Sequence, residues 1–303
     1  MNYFPNGDEE ISLLRFIAAF EYINEKDTKY FFSSRNYYRK RIASLVDKRY
    51  IRKIKSNFVL DEMGIEYVQS MKMDYYALNR NVRYLPRLLY ISHLAAVYYP
   101  CPNIKYIASR FMKNEEVLTN TGRKYVGILE IDGLQYLTYH ISKKNENQYI
   151  TSVIYDLQKE KNYEYIIIFV DDINRINIED FAFGKDKVLI MEDTKENENN
   201  LKYLNKVRWS RIIKEYYDDT VFLSPYNFCD YTNKNDKYIS IFNFIDAEKI
   251  TRIKYFLMES NNRNVDIICD EKLEPILRKE LPDANYVVVD LNKYTMKEKN
   301  YYD

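Results

Sequence analysis

With 303 residues, and 46 Lys and Arg set against 45 Asp and Glu, the chain has a formal charge of +1, so neither sign dominates the whole. Hydrophobic residues make up 46% and charged residues 30%, with only 6 Gly and 7 Pro. That composition buries sizeable cores, excludes fibrous and low-complexity classes, and at this length favours two domains.

The apolar runs, YIIIFV among the longest, fall far short of the roughly 20 residues of a membrane helix. The acidic start MNYFPNGDEE lacks a signal-peptide core, so a cytoplasmic chain with no membrane partner is expected. Cys101, Cys229 and Cys269 are far apart and lack CxxC spacing, which predicts buried thiols and neither a disulfide framework nor a zinc site. No cofactor is expected.

In chain order, DEEISLLRFIAAFEYI carries a helical apolar stripe at Ile11, Leu14, Phe16, Ile17 and Phe20, with acids at its start where the helix dipole favours them. EKDTKYFF fits a second short helix. Ser33 or Ser34 is then expected to cap a third, RNYYRKRIASLVDK. Its inward face is Tyr38, Ile42, Leu45 and Val46, which turns Asn36, Tyr37, Lys40 and Ser44 outward with Arg39 and Arg41 at the flanks. YIRKI and FVL, joined at Lys55, Ser56 and Asn57, predict a β-hairpin, and Asp61 starts a short helix EMGIEYVQSM. Three helices followed by a hairpin make the winged helix-turn-helix order, whose third helix enters the major groove.

Charge agrees with that order. Between Ser33 and Asn57 nine residues are Arg or Lys and one, Asp47, is acidic. Phosphate contacts dominate DNA affinity and need such clustering. The expected DNA-facing set is Ser34, Arg35, Asn36, Tyr37, Arg39, Lys40, Arg41 and Ser44 on or before the helix, and Arg52, Lys53 and Lys55 on the hairpin. Asn36 suits adenine and Lys40 suits guanine. The alternatives are a solvated charged helix and a winged helix that docks protein. Winged-helix regulators read repeated sites, so a homodimer on double-stranded DNA is expected.

Residues 71–120 read as helical, including PRLLYISHLAAVYY with Pro86 in a permitted first turn. The expected division is a winged helix over 1–72, a helical linker over 73–120 and an α/β domain over 121–303. In the last, KYVGILEI and LQYLTYHI form a hairpin at Asp132 and Gly133. QYITSVIYDLQKE follows as a helix, YEYIIIFVDD and DKVLIME as strands, and LKYLNKVRWSRIIKEYY as a helix. YISIFNFID, AEKITRIKYFLMES, VDIICD, EKLEPILRKEL and YVVVDL then alternate as β-α-β-α-β, implying parallel strands.

The run ISLLRFIAAF, FFSSRNYYRKRIASLVDKRYIRKI, FVLDEMGIEYV and then KYVGILEIDGLQYLTYHISKK resembles the replication-relaxation family of plasmids and conjugative elements, over roughly residues 8–172. The resemblance implies a winged helix before a restriction-endonuclease-like domain. Nucleases of that fold hold a metal with an Asp on one strand and an acid-x-Lys on the next. Here Tyr125 and Val126 stand at the first position, and Ile141 and Ser142 stand two before Lys143 and Lys144. A degenerate, non-cleaving domain with no catalytic or metal-binding residues is therefore expected. The alternative is a metal-dependent nuclease using Glu130, Asp132 and Lys143.

Two histidines exclude a three-histidine relaxase. His93 is expected to pack within a helix and His140 to decorate a strand face. Asp171, Asp172, Asp270 and Asp290 follow strands and are expected to cap or turn, with the Asp171 and Asp172 pair the best candidate for a small ligand. Lys206, Arg208, Arg211 and Lys214 around Trp209 read as the outer face of an amphipathic helix.

Overall fold

The computed structural model describes residues 7–34, 37–78, 85–112, 124–204, 206–217, 221–233, 237–259 and 264–295. Within them the protein is mixed α+β, with nine α-helices and three sheets. Contacts divide the chain into an N-terminal unit, Met1–Leu118, and a C-terminal unit beginning at Thr119. No helix among the described residues is long and apolar enough to cross a membrane.

In the N-terminal unit, α1 (Asp8–Phe20) has Asp8, Glu9 and Glu10 in its first turn and buries Leu13, Leu14, Phe16 and Ile17. A short strand β1 (Ile23–Asn24) and a 3-10 turn (Thr28–Phe31) lead to α2 (Tyr38–Asp47). The hairpin follows as β2 (Ile51–Ile54) and β3 (Asn57–Leu60), then α3 (Glu62–Ser70), α4 (Leu85–Tyr98) and β4 (Ile104–Ala108). The three-stranded sheet runs β1-β3-β2, antiparallel throughout, with Ile51 opposite Leu60 and Ile23 opposite Phe58. Lys55 turns the hairpin at φ 54.

One apolar core joins these elements. Ile42 and Leu45 of α2, Ile51 and Phe58 of the sheet, and Ala95 and Ala96 of α4 are buried in it, and Tyr38 and Val46 pack at its edge. Helix α4, expected as a linker, thus belongs to this core. Gly64 lets α3 approach the sheet, because a Cβ there would lie 2.0 Å from the Tyr50 carbonyl oxygen.

Two local expectations are corrected. EKDTKYFF forms only the single 3-10 turn, and neither serine's side chain caps α2. Ser33 instead gives its N–H and hydroxyl to Glu9 Oε1, at 2.8 and 2.7 Å. A carboxylate acceptor makes the stronger, charge-assisted bond.

The C-terminal unit starts with the hairpin β5 (Gly127–Ile131) and β6 (Leu134–Ile141), crosses over through α5 (Asn147–Lys159) to β7 (Tyr165–Val170), and continues to β8 (Lys187–Glu192). Strand β7 is central, its residues Ile166 to Val170 wholly buried, which is why its sequence shows no alternation. Next come α6 (Lys195–Leu201), α7 (Trp209–Tyr216), β9 (Val221–Leu223), β10 (Tyr231–Asn233), β11 (Lys237–Ile241) and β12 (Ile245–Asp246). The unit closes with α8 (Ala247–Met258), β13 (Asn264–Cys269), α9 (Glu274–Glu280) and β14 (Asn285–Val288).

Strands β12-β8-β7-β6-β5 form one sheet, with β6, β7 and β8 parallel and the outer pairings antiparallel. Strands β14-β13-β11-β10-β9 form another, with β11, β13 and β14 parallel as the β-α-β-α-β reading predicts. YISIFNFID is not one strand, however: β11 and β12 belong to different sheets, with Phe242 and Phe244 buried at the crossing. LKYLNKVRWSRIIKEYY is likewise not one helix: it begins on the last residue of α6 and is helical again only in α7, because Val207 bridges Thr295 and the Arg208 N–H donates to the Tyr294 carbonyl. In α7, Ile212 and Ile213 face the core and Arg211 and Lys214 face out, the amphipathic helix expected.

Candidate functional site

The basic stretch of the N-terminal unit separates into paired and open cations. Arg41 reaches back to α1, bonding Glu9 and lying 3.6 Å from Glu10. Arg49 pairs with Glu62 at 2.8 Å, Lys53 with Glu25 at 2.7 Å, and Arg52 lies 3.9 Å from Asp61. Burial raises the Glu9 pKa, but the Ser33 bonds and Arg41 outweigh it, so the carboxyl ends below its ordinary value. Glu9 is thus a charged clasp between α1 and the start of α2.

Arg39, Lys40 and Lys55 face water. Tyr37 is 62% exposed, Lys40 lies 5.4 Å from its ring, and Arg39 is exposed with its Nε donating to the Tyr38 hydroxyl at 3.3 Å. Lys55 is exposed at the hairpin tip, and Ser34 is exposed ahead of the helix. Ser44 is half-buried. Arg35 and Asn36 lie outside the described residues. The structure therefore brings Tyr37, Arg39 and Lys40 together on the outer side of α2, while Arg41 serves the fold.

The nuclease trio is not brought together. Glu130 takes a bond from Gln135 at 3.3 Å and Asp132 forms the β5–β6 turn at φ 49, whereas Lys143 follows the opposite end of β6. Eight residues of strand span roughly 25 Å. No common metal can join them.

A different group assembles where the parallel strands end. The Asp171 N–H extends the ladder to the Ile141 carbonyl at 3.0 Å, and the Asp193 N–H extends it to the Val170 carbonyl at 2.7 Å. His140 is level with Phe169 and Met191, so the two aspartates sit two positions further along the same face. The imidazole Nε2 lies 3.0 Å from Asp171 Oδ1 and 3.6 Å from Asp193 Oδ2. His140 is thus not a strand-face decoration.

Asp172, by contrast, accepts from the Asn174 N–H at 3.1 Å and caps a 3-10 turn, Ile173–Arg175. Asp270 caps in the same way, accepting from Lys272 and Leu273. His93 pairs with Asp27 at 2.9 Å in the N-terminal unit, a hydrogen-bonded helix histidine as expected.

A cavity of about 820 Å³ opens at the strand ends of the other sheet, beside Asn243, Asp270, Val289 and Asp290. Its rim residues Lys272 and Glu196 are paired with each other. Sequence reasoning missed the role of His140 and did not consider Asp193. The available signal was that both, like Asp171, sit at the carboxyl end of a predicted strand, where open sheets bind ligands. No family model matches the chain, and no curated protein or solved structure matches it.

Proposed function

We propose that the chain is a sequence-specific double-stranded DNA-binding protein of a plasmid or other mobile element. It acts in replication, transfer or transcriptional control by binding DNA and does not cleave it. In this reading the N-terminal unit is a winged helix-turn-helix, with α2 in the major groove and the β2–β3 hairpin as the wing. The order α1, β1, turn, α2, β2, β3 around a β1-β3-β2 sheet supports it. The C-terminal unit is an endonuclease-like domain without the nuclease residues, a reading supported by the β5–β6 hairpin and the α5 crossover to parallel β7. A homodimer matches two such helices to a repeated site.

The observation that carries the proposal is the open cationic face of α2, with Tyr37, Arg39 and Lys40 exposed together on a helix whose other side is locked into the core. Neither Arg39 nor Lys40 is held in an ion pair with a described carboxylate, so both can exchange water for phosphate without breaking the fold. Gel shifts with fragments selected from the protein's own genomic neighbourhood test this. Log affinity should fall with log salt at a slope of roughly −3 to −5. The double substitution R39A/K40A should weaken binding by at least about 1 kcal/mol, roughly fivefold, at unchanged thermal stability. Equal binding by that variant would remove α2 as the recognition helix. Supercoiled plasmid should stay intact in Mg²⁺ or Mn²⁺.

A further inference from the structure

The geometry points to a divalent-cation site in the C-terminal unit, made by His140 Nε2 with one carboxylate oxygen each from Asp171 and Asp193. Each ligand comes from the carboxyl end of a different strand, β6, β7 or β8, and the three donor atoms lie within 4.8 Å of one another.

Spacing is the first argument. Protein ligands sit about 2.0–2.2 Å from a first-row divalent ion, so two of them are about 3.0 Å apart at right angles and about 3.4 Å apart at the tetrahedral angle. The separations of 3.0 and 3.6 Å from Nε2 fit one ion between the three groups.

Rigidity is the second. The backbones of Asp171 and Asp193 are held in the ladder. The second Asp171 oxygen accepts from the Lys143 N–H at 2.8 Å, which leaves Oδ1 toward the imidazole. The loop that presents Lys143 is itself braced: Arg175 donates to the carbonyls of Lys143 and, at 2.7 Å, Asn145, while Asn145 Oδ1 takes the Ser142 N–H at 2.6 Å. Outer partners of this kind orient metal ligands.

The donor set selects the ion. One imidazole nitrogen and two carboxylates suit Mn²⁺ or Zn²⁺ better than Ca²⁺, which takes oxygen alone. The three side chains are 16%, 32% and 17% exposed, so a bound ion keeps coordination positions open to water or a ligand oxygen.

Titration of the full chain with Mn²⁺ or Zn²⁺, followed by calorimetry, should show one ion per chain. H140A and D171N should each weaken it at least tenfold, while D172N, which alters only the turn cap, should bind as the wild type does. In the wild type, the His140 Nε2 nitrogen resonance should move on adding Zn²⁺, a readout that survives if a variant fails to fold. Absence of saturable binding, equal binding by both H140A and D171N, or an Nε2 resonance indifferent to Zn²⁺ would overturn the site and leave His140 hydrogen-bonded to Asp171.

Discussion

Helix α2 and the strand ends around His140 place charge by opposite means. On α2 the cations that point toward α1 are tied to carboxylates, and those that point outward end in water on long, flexible stems. At the strand ends, three short side chains are aimed at one point by sheet register, and a guanidinium fixes the loop beside them. The first construction suits a repeating, extended anion, because each contact is replaceable. The second suits a single small cation, because each donor has one position. The same contrast sets what substitutions should do to each region.

The largest effect is expected from G64A. Its new Cβ would meet the Tyr50 carbonyl oxygen at 2.0 Å, a backbone contact that no side-chain rotation relieves, and Leu60 Cδ2 at 3.2 Å. Helix α3 must then lift from the hairpin, at a cost of about 1–3 kcal/mol or more. Thermal melting of the full chain should show this destabilisation together with weaker DNA binding. The His140 nitrogen should still respond to Zn²⁺. A variant that loses both responses would show that the two regions are not separately built.

E9Q should act next, through the clasp. It keeps the shape but removes the charge that holds Arg41 and receives Ser33, for about 0.5–1.5 kcal/mol. The folded Glu9 pKa lies below its ordinary value of 4.5, so the charged form contributes stability above that value. This contribution is lost as pH falls through the depressed folded pKa. Melting curves of wild type and E9Q should therefore differ at pH 6 and converge as the medium becomes strongly acid. A gap that widened in acid would contradict the clasp.

Sequence shows these two regions unequally. The inner face of α2, the hairpin and the β-α-β-α-β series were legible because each is a periodicity within one short segment, as Ile42 and Leu45 or VDIICD illustrate. The role of Arg41 was not, because its partner Glu9 is on another helix and i-to-i+4 reasoning sees only one element at a time. Nor was the Ser33 bond, since a capping serine and a serine serving a distant carboxylate look alike in sequence. The cluster at the strand ends was half legible: Asp171 stood out after an apolar run, but its meeting with His140 and Asp193 depends on strand order and register. YISIFNFID failed for the same reason, because alternation does not say which sheet a strand joins.

The smallest effect, and the sharpest for the paired cations, is expected from E25Q. Lys53 and Glu25 meet at 2.7 Å, with side chains 48% and 52% exposed. An ion pair that open contributes about 0–1 kcal/mol, so melting should barely change. Its effect on DNA should be measurable at low salt, because the substitution removes a negative charge beside the hairpin and leaves Lys53 available to a phosphate. Binding should tighten by roughly two- to fivefold and the salt slope should steepen by about one. K53A should undo both changes when added to E25Q. If E25Q leaves affinity and slope as they were, the hairpin lies off the DNA and recognition rests on the outer face of α2 alone.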